Sequence, residues 1–207
     1  RLGQGESLTS LGSAYNSLGE YEKAIDYINQ SLVIFREIGD REGEGKAFVV
    51  LGDTYISLGE YEKAIDYYNQ LGVISREIGY RLGQVLSLKS LGNTYISLGQ
   101  NEKAIDYYNQ VLVVFREIGD RAGEGRLLAV LGNTYNSLGQ HEKAIDYYNQ
   151  VLVVFREIGD RAGEGRVLAV LGNTYNSLGQ NEKATDYNNQ ALVVLREIGG
   201  GRVRARP

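Results

Sequence analysis

The stretch Leu131–Gln150 reads LGNTYNSLGQHEKAIDYYNQ, and forty residues later Leu171–Gln190 reads LGNTYNSLGQNEKATDYNNQ. Near copies begin at Leu11, Leu51 and Leu91. A period held this strictly decides the architecture before any single residue does, because repeats grow by stacking one unit on the next. Arg1, Arg41, Arg81, Arg121 and Arg161 open five units: 1–40, 41–80, 81–120, 121–160 and 161–200. They fill residues 1–200 of the 207, and GRVRARP is left over as an expected disordered basic tail, 201–207.

Within the fourth unit, Leu128, Leu131, Tyr135 and Leu138 fall three, four and three apart, the spacing of one helix face. Asp120 stands where an N-cap is wanted and Gly139 where a left-handed C-terminal cap is wanted. This predicts helix A over roughly 121–138. Ala144, Tyr148, Val151 and Phe155 form a second stripe, with Glu142 in the first turn and Gly159 at the end. This predicts helix B. The run VLVVF is rich in β-branched residues, but helical periodicity continues through it without a turn signal. Gly132 and Ala144 are small in every copy and are expected to bring the two helices close. One such hairpin cannot cover both of its stripes, so five must lean on each other.

The residues Leu131, Gly132, Tyr135, Gly139, Ala144 and Tyr148, recurring across the units, resemble the tetratricopeptide repeat (TPR). The resemblance covers about 200 of the 207 residues. Two features depart from the family pattern. The unit is 40 residues long where 34 is usual, and Leu128 stands where Trp is frequent. The longer form, with its GDRAGEGR junction, is similar to the repeats of LGN/Pins-type scaffolds and of bacterial relatives. The resemblance implies an all-α, right-handed α-solenoid of five tandem helix-turn-helix repeats. It implies a protein-interaction scaffold that holds a partner peptide or helix in a concave groove lined by helix A.

Carried over position by position, the groove residues are Glu6, Thr9, Ser13 and Asn16 in the first unit and Lys46, Val49, Asp53 and Ile56 in the second. The third gives Leu86, Lys89, Asn93 and Ile96, the fourth Arg126, Ala129, Asn133 and Asn136, and the fifth Arg166, Ala169, Asn173 and Asn176. Asn133 and Asn136 lie off the apolar stripe, and an amide offers both donors and an acceptor to a peptide backbone. Arg126 and Arg166 suit partner carboxylates. The alternative is a solvated face copied by duplication, since the fourth and fifth units match at 33 of 40 positions. A second functional reading is self-association through the repeat ends into a homo-oligomer.

Other classes find little support. The single histidine, His141, is Asn in the neighbouring units and reads as a solvated turn residue. Cysteine is absent, so neither a thiol nor a metal constellation is expected, nor a cofactor. The segment Gly39–Ala47 fails the phosphate-loop pattern, with Asp40 and Ala47 at required positions. Asn29-Gln30-Ser31 reads as a chance glycosylation match on helix B. A net charge of −4 argues against nucleic acid, and no apolar run approaches a membrane span. The tyrosine pairs, such as Tyr147-Tyr148, are read as one core ring each rather than as base-stacking platforms. An enzyme is not expected. The lack of cysteine fits a cytoplasmic location, and the lack of methionine fits a piece of a longer protein.

Two units are irregular. In the fifth, Thr185, Asn188 and Leu195 replace Ile145, Tyr148 and Phe155, as either a capping end or a truncated array would allow. In the second, Gly72, Ser75 and Tyr80 replace Leu, Phe and the capping Asp. Loss of a core Phe leaves a gap that Tyr80 or Leu82 is expected to fill, and residues 70–85 are expected to be the weakest junction.

Overall fold

A computed structural model describes residues 1–204. Those residues form ten α-helices in five hairpins: α1 (Leu2–Ser17) with α2 (Tyr21–Ile38), α3 (Arg41–Ser57) with α4 (Tyr61–Glu77), α5 (Arg81–Ser97) with α6 (Asn101–Ile118), α7 (Arg121–Ser137) with α8 (His141–Glu157), and α9 (Arg161–Ser177) with α10 (Asn181–Arg204). The fold is all-α. Helix A of the fourth repeat ends at Ser137, one residue short of the expected boundary, with Leu138 as its cap. α10 runs through Gly199 to Arg204, four residues into the segment expected to be a tail. The last three residues of that segment, 205–207, lie outside the described residues.

Glycine sets the turns. Nine glycines, one at each junction from Gly19 to Gly179, have φ between 69° and 76°. Only a residue without Cβ adopts that region at no cost. At Gly39 the chain closes a Schellman motif, with Asp40 N–H donating to the Phe35 carbonyl at 2.9 Å. The next residue then starts the following helix: the carboxylates of Asp40, Asp120 and Asp160 accept from the amides of Gly43, Gly123 and Gly163 at 2.7–2.9 Å. Tyr80 makes no such side-chain cap.

The described chain falls into two compact bodies, residues 1–114 and residues from 115 on. In the first, α1 packs on α2 and α3, and α3 packs on α2, α4 and α5. One cluster there draws Ile28, Leu32 and Phe35 from the first repeat and Ala47, Phe48, Leu51, Leu71 and Ile74 from the second. A second cluster joins Ala64 and Tyr68 to Leu91 of the third repeat. In the second body, α8 packs between α7 and α9, and α10 packs on α9. The core therefore belongs to pairs of repeats, which is why a lone hairpin lacks one. Leu152 is 5% exposed, whereas its counterpart Leu192 is 49% exposed in the last described repeat. Thr185, Asn188 and Leu195 are exposed as well.

The residues that lengthen the repeat build an electrostatic clamp. Glu44, Glu124 and Glu164 are buried, each between two arginines. Arg156 Nε donates to Glu164 at 2.8 Å from α8, and Arg161 donates to it from the start of α9. Arg161 also pairs with Glu197 on α10, at 2.5 Å. One chain of charges thus ties helix B of one repeat to both helices of the next. Burial works to raise the Glu164 pKa, but the hydrogen bonds and charges of Arg156 and Arg161 outweigh it and hold the carboxyl below its usual range.

Candidate partner-binding face

Each hairpin is locked by a tyrosine seam. Tyr148 is buried against α7, where a Cβ added to Gly132 would sit 2.5 Å from its ring. So the small residue at position 132 makes room for an aromatic ring. In the first repeat, with Ile28 in place of Tyr, a Cβ on Gly12 would also come 3.1 Å from the Ala24 carbonyl, the close approach of the two helices that the small residues imply. The first tyrosine of each pair stacks on a tyrosine of helix A: Tyr147 on Tyr135 with centroids 5.3 Å apart, and likewise Tyr67 on Tyr55 and Tyr107 on Tyr95. A lysine lies over the outer ring in every repeat, as Lys143 does over Tyr135 at 5.3 Å.

The tyrosine hydroxyl reaches through to the face that helix A presents to solvent. Tyr148 Oη donates to Asn133 Oδ1 at 2.8 Å, and Tyr108 Oη donates to Asn93 Oδ1 at 2.7 Å. In the second repeat Tyr68 Oη donates to Asp53 Oδ1 at 2.6 Å. Burial pushes the Tyr148 hydroxyl up to about 12, and Tyr68 and Tyr108 shift the same way. The amide oxygens of Asn93 and Asn133 are thereby occupied, and the amide is held with its NH2 as the remaining donor. Sequence reasoning chose these asparagines as two-way hydrogen-bonding groups. The structure makes them oriented donors.

Lys46, Lys89, Asn93, Arg126, Asn133, Arg166, Asn173 and Asn176 are exposed, and Asn136 is half-buried. They do not all stand free. Lys46 Nζ pairs with Glu42 at 2.7 Å. Asn136 Oδ1 lies 2.7 Å from His141 Nδ1, which corrects the reading of His141 as a solvated turn residue: it is half-buried and ties the start of α8 to the end of α7. Among the described residues, Lys89, Arg126 and Arg166 have no carboxylate within ion-pair distance. In the fifth repeat the tyrosine is replaced by Asn188, whose amide lies over Gly172, so Asn173 is not fixed by a phenol. Among the described residues no three His, Asp or Glu side chains gather as metal ligands, and no helix is long and apolar enough to cross a membrane.

The tetratricopeptide repeat family model matches residues 4–71, 82–157 and 126–197. The chain is a tetratricopeptide repeat protein. Solved structures agree on the fold of this repeat protein. BtubC (BKLC) from P. vanneervenii is 21% identical with a TM-score of 0.76, over 94% of this chain and 81% of that one. A signal transduction ATPase with numerous domains from Pyrococcus horikoshii, which carries a tetratricopeptide repeat sensor, is 23% identical with a TM-score of 0.75, over 89% of this chain and 29% of that one. Aspartyl phosphate phosphatase F from Bacillus subtilis is 16% identical with a TM-score of 0.70, over 94% of this chain and 60% of that one. At these identities the likeness speaks for the fold alone. No curated protein sequence matches this repeat protein.

Proposed function

We propose that this repeat array is a protein-interaction scaffold that binds an extended peptide or a helix of a partner along the solvent-facing side of its A helices. The observation that carries the reading is the Tyr–Asn pairing. Two buried phenols spend their hydroxyls on orienting surface amides, Tyr108 on Asn93 and Tyr148 on Asn133. An amide needed only for solvation has no use for such a support. A donor held in place before the partner arrives loses less entropy on binding. Partner backbone carbonyls suit these donors, and Lys89 in the first body and Arg126 and Arg166 in the second suit partner carboxylates.

A pull-down from a lysate of the source cells tests this. The triple variant Asn93→Ala/Asn133→Ala/Asn173→Ala should lose the captured partner while keeping wild-type helicity. Undiminished capture by the triple variant would move the binding surface elsewhere.

A further inference from the structure

The second repeat differs from its neighbours at two core positions, Gly72 and Ser75, and the second difference opens onto the A-helix face. In the first repeat the Phe35 ring is wedged between Gly5 and Gly43; a Cβ on Gly5 would come 2.7 Å from it. In the fourth, the Phe155 ring is wedged the same way between Gly125 and Gly163, with corresponding distances of 2.7 Å and 2.6 Å. Both glycines are kept around the second repeat, Gly45 within it and Gly83 at the start of the third, but Ser75 stands where the phenylalanine belongs. A Cβ on Gly45 would meet nothing closer than Leu71, at 3.4 Å.

Neither residue expected to fill the gap closes it. Leu82 is 56% exposed. The Tyr80 ring lies against Gly83, 2.5 Å from where a Cβ would stand, but it is half-exposed and walls the gap on one side rather than filling it. What remains is a partly open cavity of about 90 Å³, walled by Gly45, Leu71, Ile74, Ser75, Tyr80 and Gly83. Val49, Lys46 and Leu86 also line it, and these are residues of the A-helix face. Ser75 is 1% exposed, and its Oγ has no hydrogen-bond partner in the protein. A buried hydroxyl left without a partner is costly.

We propose that this cavity is a socket for a phenol: the side chain of a tyrosine on the bound partner, entering from the A-helix face with its hydroxyl meeting Ser75 Oγ. The shape argument comes from the chain itself, which puts a six-membered ring between the same paired glycines in other repeats. The polar argument comes from Ser75, which stands where the ring would otherwise be attached and so faces the tip of a ring arriving from outside. An aliphatic side chain would fill part of the volume and leave the hydroxyl unpaired. The proposal rests on the reading of the A-helix face as the partner surface.

Amide-detected NMR titration of the whole chain with p-cresol, a tyrosine side-chain mimic, against toluene tests the socket. The Gly45, Ser75 and Gly83 amides should move, with p-cresol binding about fivefold more tightly than toluene, as one added hydrogen bond implies. Ser75→Ala should erase that preference and keep toluene binding. Ser75→Phe should abolish both by filling the socket. If Ser75→Phe does not fold, the Ser75→Ala comparison still decides. Unmoved amides, or equal affinity for p-cresol and toluene in the wild type, would overturn the proposal. If p-cresol fails while the asparagine variant still loses its partner, the socket falls and the binding face stands.

Discussion

Replacing Glu164 by Gln keeps the shape of the side chain and removes the charge that two guanidiniums share. Glu164 is 3% exposed, while the side chains of Arg156 and Arg161 are 52% and 47% exposed. A fully buried pair broken on one side costs about 3–5 kcal/mol. Here both arginines reach water, so they are rehydrated when the charge goes, and the loss should fall to about 2 kcal/mol. For a chain of this size that is a fall of about 4–8 °C in the thermal midpoint followed by far-ultraviolet circular dichroism. Glu157→Gln is the control. Glu157 pairs with Arg121 but is itself half-exposed, and its loss should cost under about 1 kcal/mol. The pH dependence has a definite sign. The folded Glu164 carboxyl is held below its usual value, 4.5, so its contribution is present above that pH and is lost as pH falls through the folded value. The gap between wild type and Glu164→Gln should therefore close on acidification. A loss no larger than that of Glu157→Gln, or a gap unchanged on acidification, would refute the clamp.

Three other outcomes follow from the same structure. Tyr148→Phe should keep the packing and cost about 1 kcal/mol through loss of the bond to Asn133. Because the folded hydroxyl titrates near 12 and the unfolded one near 10, the wild type should lose stability between those values, and the variant should lose less in an alkaline melt. Gly139→Ala, at φ +70°, should destabilise by about 1 kcal/mol in urea unfolding although nothing lies within 4 Å of the new methyl. Hydrogen exchange should be faster across residues 71–78 than across 151–158, because Ser75 and Gly72 interrupt the core that Phe155 and Leu152 complete.

Much of the fold was readable in the repeats. The turn glycines and capping aspartates stand at forced backbone positions, so their spacing alone located the hairpins. The clamp was hidden because Glu164, four residues after Asp160, reads as an ordinary first-turn acid. Its burial depends on Arg156 reaching over from the helix before. The Tyr148–Asn133 bond left a faint trace: repeats three and four carry Asn and Tyr fifteen residues apart, and the first repeat has neither, with Ser13 and Ile28 instead. The exposed positions of Lys89, Arg126 and Arg166 came from the family resemblance, carried over position by position, and that of Asn133 also from its place off the apolar stripe. The pairing of Asn136 with His141 came from neither, because it spans a turn whose geometry only the folded backbone sets.

The side-chain amide resonances of Asn93 and Asn133, followed by NMR while the captured partner is titrated in, test the binding claim most directly. The account predicts that both NH2 pairs shift on binding, and that Asn109 and Asn149, on the B helices, stay still. Movement at the B-helix asparagines with Asn93 and Asn133 unchanged would contradict it.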